Sequence, residues 1–199
     1  MADETLNQPL SERFTAALVL ACELHRAQAR KATQIPYVAH LLAVAAIALE
    51  HGATEDEAIA ALLHDAVEDQ GGAQTASRIR ERFGEAVTAI VVGCTDTDVV
   101  PKPPWRARKE RYIAHVKTAT ASVRLVSASD KLHNARSIVA DYRELGDALW
   151  GRFNGGKEGT LWYYRSLVDA FASHGSSRLV SELERVVGDL ERLAAQTKV

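Results

Sequence analysis

The segment at residues 58–70, AIAALLHDAVEDQ, most restricts how this chain can fold. Thr54, with Glu57 three residues on, forms a capping-box signature that opens a helix just before it. Ile59, Ala60, Leu62, Leu63, Ala66 and Val67 then recur at helical spacing, which demands burial on several sides. Inside that apolar run stand four ionisable groups, His64, Asp65, Glu68 and Asp69. Residues four apart are neighbours on a helix, so His64 sits over Glu68 and Asp65 over Asp69. Three carboxylates and one imidazole crowded on one strip repel each other and lose hydration. A bound metal ion supplies the positive charge that such a strip lacks.

The rest of the chain also reads as helix. Helices are predicted over residues 10–29, 37–51, 54–70, 75–83 (capped by Thr75), 85–94, 105–118, 122–145, 160–173 and 177–196. Two loops interrupt them. The first, TDTDVVPKPP at residues 95–104, holds three of the five prolines, and the second is GRFNGGKEG at residues 151–159. No strand pattern, repeat or linker is visible. With 199 residues, 47% of them apolar, the chain can bury a full core, and residues 1–199 read as one all-α domain. A net charge of −2 supplies no broad basic field, which argues against a nucleic-acid polymer as partner. The longest uncharged apolar run, residues 41–49, is far short of the ~20 residues that span a bilayer. The acidic start, MADETLNQPL, lacks the basic-then-apolar order of a signal peptide. Cys22 and Cys94 lie in apolar helical stretches and are expected as buried, reduced thiols. The expectation is a soluble cytoplasmic protein.

Two further polar residues stand in apolar surroundings. His40 lies in Val38-Ala39-His40-Leu41-Leu42, and Asp130 follows the turns of Val123-Arg124-Leu125-Val126. Singly, each has an ordinary place, His40 as a hydrogen-bonded core histidine and Asp130 as a helix-surface carboxylate. With His64 and Asp65 they make a set of two imidazoles and two carboxylates. Such a set suits Mn²⁺, Fe²⁺ or Zn²⁺ with water in the open positions. No cysteine ligand is near, which weighs against a structural zinc site.

Three stretches carry a resemblance. Arg30-Lys31 followed by Ile35-Pro36-Tyr37-Val38-Ala39-His40 is the first. Ala60 through Asp69, with its His64-Asp65 and Glu68-Asp69 pairs, is the second, and Asp130-Lys131-Leu132-His133-Asn134-Ala135-Arg136 is the third. Together, over about residues 14–145, they resemble the RelA/SpoT hydrolase domain of the HD-domain phosphohydrolases. The resemblance implies an all-α HD bundle that removes pyrophosphate from the 3′ position of ppGpp or pppGpp, giving GDP or GTP. It implies Mn²⁺ held by His40, His64, Asp65 and Asp130, with Glu68 and Asp69 positioning and activating the attacking water. It further implies substrate contacts from Arg30, Lys31, Asn134 and Ser137. The spacing from Arg30 to Pro36 is one residue longer than in the bacterial pattern, which leaves open which basic side chain faces inward. No room remains for the synthetase domain of the long RelA/SpoT proteins, so the build is similar to that of the metazoan SpoT homologues. The same chemistry on adenine alarmones or on NADPH is the nearest alternative, and a nucleotide-binding regulator without turnover is another.

Around the second loop and the helix after the prolines lie further candidates. Lys102, Arg106, Arg108, Lys109 and Arg111 set five cations against one acid, Glu110, over ten residues. They are the obvious holder for distal phosphates, with Lys102 and Arg106 the preferred pair. Trp150, Phe153, Asn154, Trp162, Tyr163 and Tyr164 are either core or the wall of a nucleotide pocket. His133 is placed to support a ligand rather than to be one.

Overall fold

The computed structural model describes residues 10–97, 101 and 103–196. Among the described residues ten α-helices follow one another: α1 Glu12–Leu24, α2 Val38–Glu50, α3 Glu55–Leu63, α4 Ala66–Asp69, α5 Gly72–Phe83, α6 Glu85–Cys94, α7 Trp105–Val116, α8 Ala121–Leu145, α9 Gly156–Ala172 and α10 Arg178–Gln196. A short 3-10 helix, Gly146–Arg152, joins α8 to α9. Among the described residues the only β pairing is an isolated bridge between Ala29 and Pro36, and no helix is long and apolar enough to cross a membrane.

Two buried clusters organise the helices. The first gathers residues of α1, α2, α3, α5 and α6, among them Leu20, Leu41, Ile59, Leu62 and Val87. The second gathers residues of α7, α9 and α10, among them Tyr112, Leu167, Leu183 and Leu190. Helix α8 belongs to both: Val123 and Val126 enter the first, and Leu132, Ala135 and Tyr142 enter the second. Between these stretches the helix is enclosed on all sides, so Val126 through Asp130 are all buried. Polar side chains there need partners. The Ser129 hydroxyl donates to the Leu125 carbonyl at 2.9 Å, and Ser127 accepts from the Tyr112 hydroxyl at 2.9 Å. Asp130 is the charged residue at the junction of the two clusters.

The capping box at Thr54 is present: its hydroxyl accepts from the Glu57 amide at 3.3 Å while Glu57 accepts from the Thr54 amide at 2.7 Å. The expected continuous helix through residue 70 is instead divided, with His64 and Asp65 in a turn between α3 and α4. The His64 ring explains the break. Its Nδ1 donates to the Ala61 carbonyl at 2.8 Å, the acceptor that the Asp65 amide would use in an unbroken helix.

Other expected boundaries move for local reasons. The first helix stops at Leu24 rather than at residue 29, because residues 28–37 fold back on themselves, with Tyr37 donating its amide to Gln28 at 2.9 Å. Helix α5 begins at Gly72, and the expected cap Thr75 is buried within its first turn, bonded to the Gln70 carbonyl. Most of the glycine loop at residues 151–159 is helical. Neither cysteine is in a disulfide, and Cys22 is exposed rather than buried.

Two of the loop glycines have a specific task. A Cβ on Gly155 would stand 2.6 Å from the Trp105 indole, and one on Gly159 would stand 3.2 Å from it. Both residues are bare so that the first residue of α7 can lie against the start of α9. Gly155→Ala is therefore expected to cost about 1–3 kcal/mol through overpacking, a fall of several degrees in Tm. Gly151→Ala, where nothing lies within 4 Å, is the control. Equal melting of both variants would remove the tight contact.

Candidate metal centre and active-site cavity

Three elements deliver four donor atoms to one point. His40 comes from α2, His64 and Asp65 from the turn after α3, and Asp130 from the middle of α8. His40 Nε2 lies 3.6 Å from Asp65 Oδ2 and 3.2 Å from Asp130 Oδ1. His64 Nε2 lies 3.0 Å from Asp65 Oδ2 and 3.7 Å from Asp130 Oδ1. The ligating atoms of His40, His64 and Asp65 all fall within 4.8 Å of one another.

The tautomers suit a cation. A carbonyl only accepts, so the contact of His64 Nδ1 with Ala61 puts a proton on Nδ1 and leaves Nε2 as the atom that takes either a second proton or a cation. That Nε2 is fully buried and makes no hydrogen bond among the described residues. His40 Nδ1 meets His133 Nδ1 at 2.8 Å. Burial, with His40 and Arg30 nearby, pushes His133 down to about 4, so it stays neutral and can accept that proton. The electrostatics agree. Burial opposes a charge on His64, yet Asp65 and Asp130 outweigh it and raise its pKa well above the usual imidazole value. Burial likewise opposes ionised Asp65, but His64 and His40 hold it well below the usual carboxylate range. For Asp130, Lys131 and the two histidines do the same against its burial. Two ionised carboxylates thus face a proton-hungry imidazole, and a divalent cation fits this donor set.

A surrounding layer fixes the ligands. The Tyr37 hydroxyl donates to Asp65 Oδ2 at 2.6 Å. Lys131 Nζ reaches Asp130 Oδ2 at 2.6 Å, and Asn134 Nδ2 donates to Asp130 Oδ1. Arg30 in turn donates to Asn134 Oδ1 at 2.8 Å.

Beside the four donors opens a cavity of about 320 Å³, the lower end of the range for small-molecule sites. Asp65, Asp130 and Glu68 form its metal side. Lys31, Arg108, Lys109 and Lys131 supply its positive charge, and Trp105, Phe153, Tyr163 and Tyr164 its aromatic wall.

The other residues singled out from sequence fall in distinct places. Arg30 and Lys31 both reach the site, by different routes: Arg30 through Asn134, and Lys31 as cavity lining. The turn between them and Ile35 is closed by the Arg30 amide bonding to the Ile35 carbonyl at 2.8 Å, with Ala32 at φ +59°. Glu68 lines the cavity and accepts from the Asp96 amide at 3.3 Å. Asp69 is exposed, lies outside the lining, and accepts from Gln28 Nε2 at 2.8 Å. The Ser137 hydroxyl donates to the His133 carbonyl at 3.0 Å within α8 and does not line the cavity. Arg106 stacks on Trp162 at 3.2 Å from the ring centre and pairs with Glu110 at 2.7 Å, away from the lining. Lys102 lies outside the described residues. Trp150 is buried in the second cluster. Sequence reasoning passed over Asp96, Lys131 and Trp105. The spacing of residues 105, 108, 109, 112 and 116 is the signal that marks the inward face of α7 and would have found Trp105.

Comparison with known proteins agrees with this architecture. A family model described as the HD domain matches residues 17–160. The Xenopus tropicalis protein named guanosine-3′,5′-bis(diphosphate) 3′-pyrophosphohydrolase MESH1 is 38% identical over 131 residues, covering 62% of this chain and 70% of its own length. A protein of Aquifex aeolicus named guanosine-3′,5′-bis(diphosphate) 3′-pyrophosphohydrolase is 35% identical over 128 residues, which are only 18% of that longer protein. Among solved structures, one described as a metazoan ortholog of SpoT that hydrolyses ppGpp superposes with a TM-score of 0.77 at 26% identity, covering 92% of this chain and 98% of that one. With its histidine and aspartate quartet brought together from three elements, this chain belongs to the HD-domain family, and the MESH1 proteins are among its relatives.

Proposed function

We propose that the chain hydrolyses the 3′-pyrophosphate of (p)ppGpp, yielding GDP or GTP and pyrophosphate, with Mn²⁺ held by His40, His64, Asp65 and Asp130. The observation that carries the reading is the meeting of those four donors at the mouth of a cation-lined cavity. When bound, Mn²⁺ would polarise the 3′-diphosphate and make a neighbouring water a better nucleophile at neutral pH. Glu68, on the cavity side, holds and deprotonates that water. The water oxygen bonds to the phosphorus on the 3′ oxygen, the bond between those two atoms breaks, and the 3′ oxygen receives a proton. Asp69 acts on the same helix end from outside, through Gln28. Arg30 and Asn134 orient Asp130 and the nucleotide, and Lys31, Arg108 and Lys109 take the phosphates, in place of Arg106, which pairs with Glu110 away from the cavity. Ser137 is left as a helix contact. The whole chain works as one domain, and its free thiols suit a reducing cytoplasm.

The substrate is tested by comparing turnover of ppGpp, its adenine analogue and NADPH with Mn²⁺ present. Fastest turnover of ppGpp is expected. Preference for either of the others would move the substrate while keeping the chemistry, and turnover of none would leave a nucleotide-binding regulator.

The raised His64 pKa also sets a pH dependence. A raised His64 pKa contributes stability that is fully present below the unfolded value of about 6.5 and is lost as pH rises through the folded value. Mn²⁺ must displace that proton, so its apparent affinity is expected to rise with pH over the same interval. Calorimetry near pH 7 in two buffers of different ionisation enthalpy should report release of about one proton per ion. Release of none would mean that His64 is neutral in the bare site.

A further inference from the structure

An acidic residue sits in the middle of the cation wall. Asp96 lines the cavity, and its side chain is only 9% exposed. Its Oδ2 takes Lys109 Nζ at 2.9 Å together with an Arg108 guanidinium nitrogen. Its Oδ1 is buried with no hydrogen-bond partner among the described residues, so the two cations are what hold the carboxylate there. Its amide meanwhile donates to Glu68 at 3.3 Å. An anion in a site for anions weakens binding of phosphate by repulsion. Here it holds two long, otherwise mobile side chains to one wall and links that wall to the carboxylate on α4.

We propose that Asp96 is a positioning residue of the phosphate-binding wall: it fixes Arg108 and Lys109 at the cavity, ties them to Glu68, and keeps the wall's net charge low enough for pyrophosphate to leave. The inference rests on the reading of the cavity as a phosphohydrolase site. Without Asp96 the wall gains one unit of positive charge and loses the geometry of its two cations. Phosphate then binds more tightly, and less productively.

The test pairs kinetics with binding. In Asp96→Asn loaded with Mn²⁺, kcat is expected to fall about tenfold, with KM for ppGpp unchanged or lower. Inorganic pyrophosphate, titrated into the metal-free chain, is expected to bind about fivefold more tightly than to the unaltered protein, because a charge about one side chain away has been removed. A merely structural role would lower Tm and weaken binding. Unchanged or weaker pyrophosphate affinity therefore overturns the proposal. Should Asp96→Asn fail to fold, Asp96→Glu, which keeps the charge and displaces the carboxylate, should lower kcat while leaving pyrophosphate affinity unchanged, and an unchanged kcat overturns the idea. If the unaltered protein fails to turn over ppGpp, the functional reading falls, while the pyrophosphate comparison still decides the role of Asp96.

Discussion

Replacing His64 by alanine, or Asp65 by asparagine, is expected to remove both the bound Mn²⁺ and the activity. His64 contributes a buried ring nitrogen that has no hydrogen-bond partner among the described residues. Asp65→Asn keeps an oxygen for the Tyr37 hydroxyl, which now reaches it at 2.6 Å, and removes only the charge. A metal ion contributes several kcal/mol to such a transition state, so turnover should fall on the order of 10³-fold or more. Metal content measured on the purified variants, beside circular dichroism to verify the fold, separates loss of the ion from loss of structure. A variant without metal that still hydrolyses ppGpp would falsify the assignment of the quartet.

The second large effect concerns the acidic pair on α4, whose members face different ways. Glu68 borders the cavity, whereas Asp69 is exposed and bonded to Gln28. Glu68→Gln should retain Mn²⁺ and lose about 10²–10⁴ in kcat, the usual contribution of a positioned general base. Asp69→Asn should retain the metal and lose only about tenfold, as a neighbour that orients the helix end rather than the water. Single-turnover rates at saturating substrate distinguish the two. Equal losses would make the carboxylates act as a unit, and metal loss in either would make it a ligand.

Much of this centre was legible in the sequence because its residue types are costly where they stand. A histidine in a run of Ala, Val and Leu, and an aspartate in a helix without a solvent face, need a reason to be buried, and one ion explains both. The break at His64 was not legible. It arises from a side chain competing for a main-chain carbonyl, and residue periodicity carries no trace of that competition. The cation wall was half legible. Charge on α7 was plain, but the choice of Arg108 and Lys109 over Arg106 depends on helix phase. Phase is set by Trp105 lying against Gly155 and Gly159, fifty residues away in the chain, and positions three and four beyond the tryptophan then share its face. Asp96 was hidden for a related reason. Its two partners are twelve and thirteen residues on, across a proline segment that no periodic pattern bridges.

Helix α8 runs through both buried clusters, and the duties of the site divide along it. The histidines and Asp65 come from α2 and the end of α3, whose apolar residues build the first cluster, while α7 and α9 of the second bring Arg108, Lys109, Trp105, Tyr163 and Tyr164 to the cavity. Asp130 alone stands at the seam. Substitutions on α7 and α9 can therefore reshape the aromatic wall and two of the cations without moving the donor quartet, so one side of the cavity can be altered while the atoms that would hold the ion stay in place.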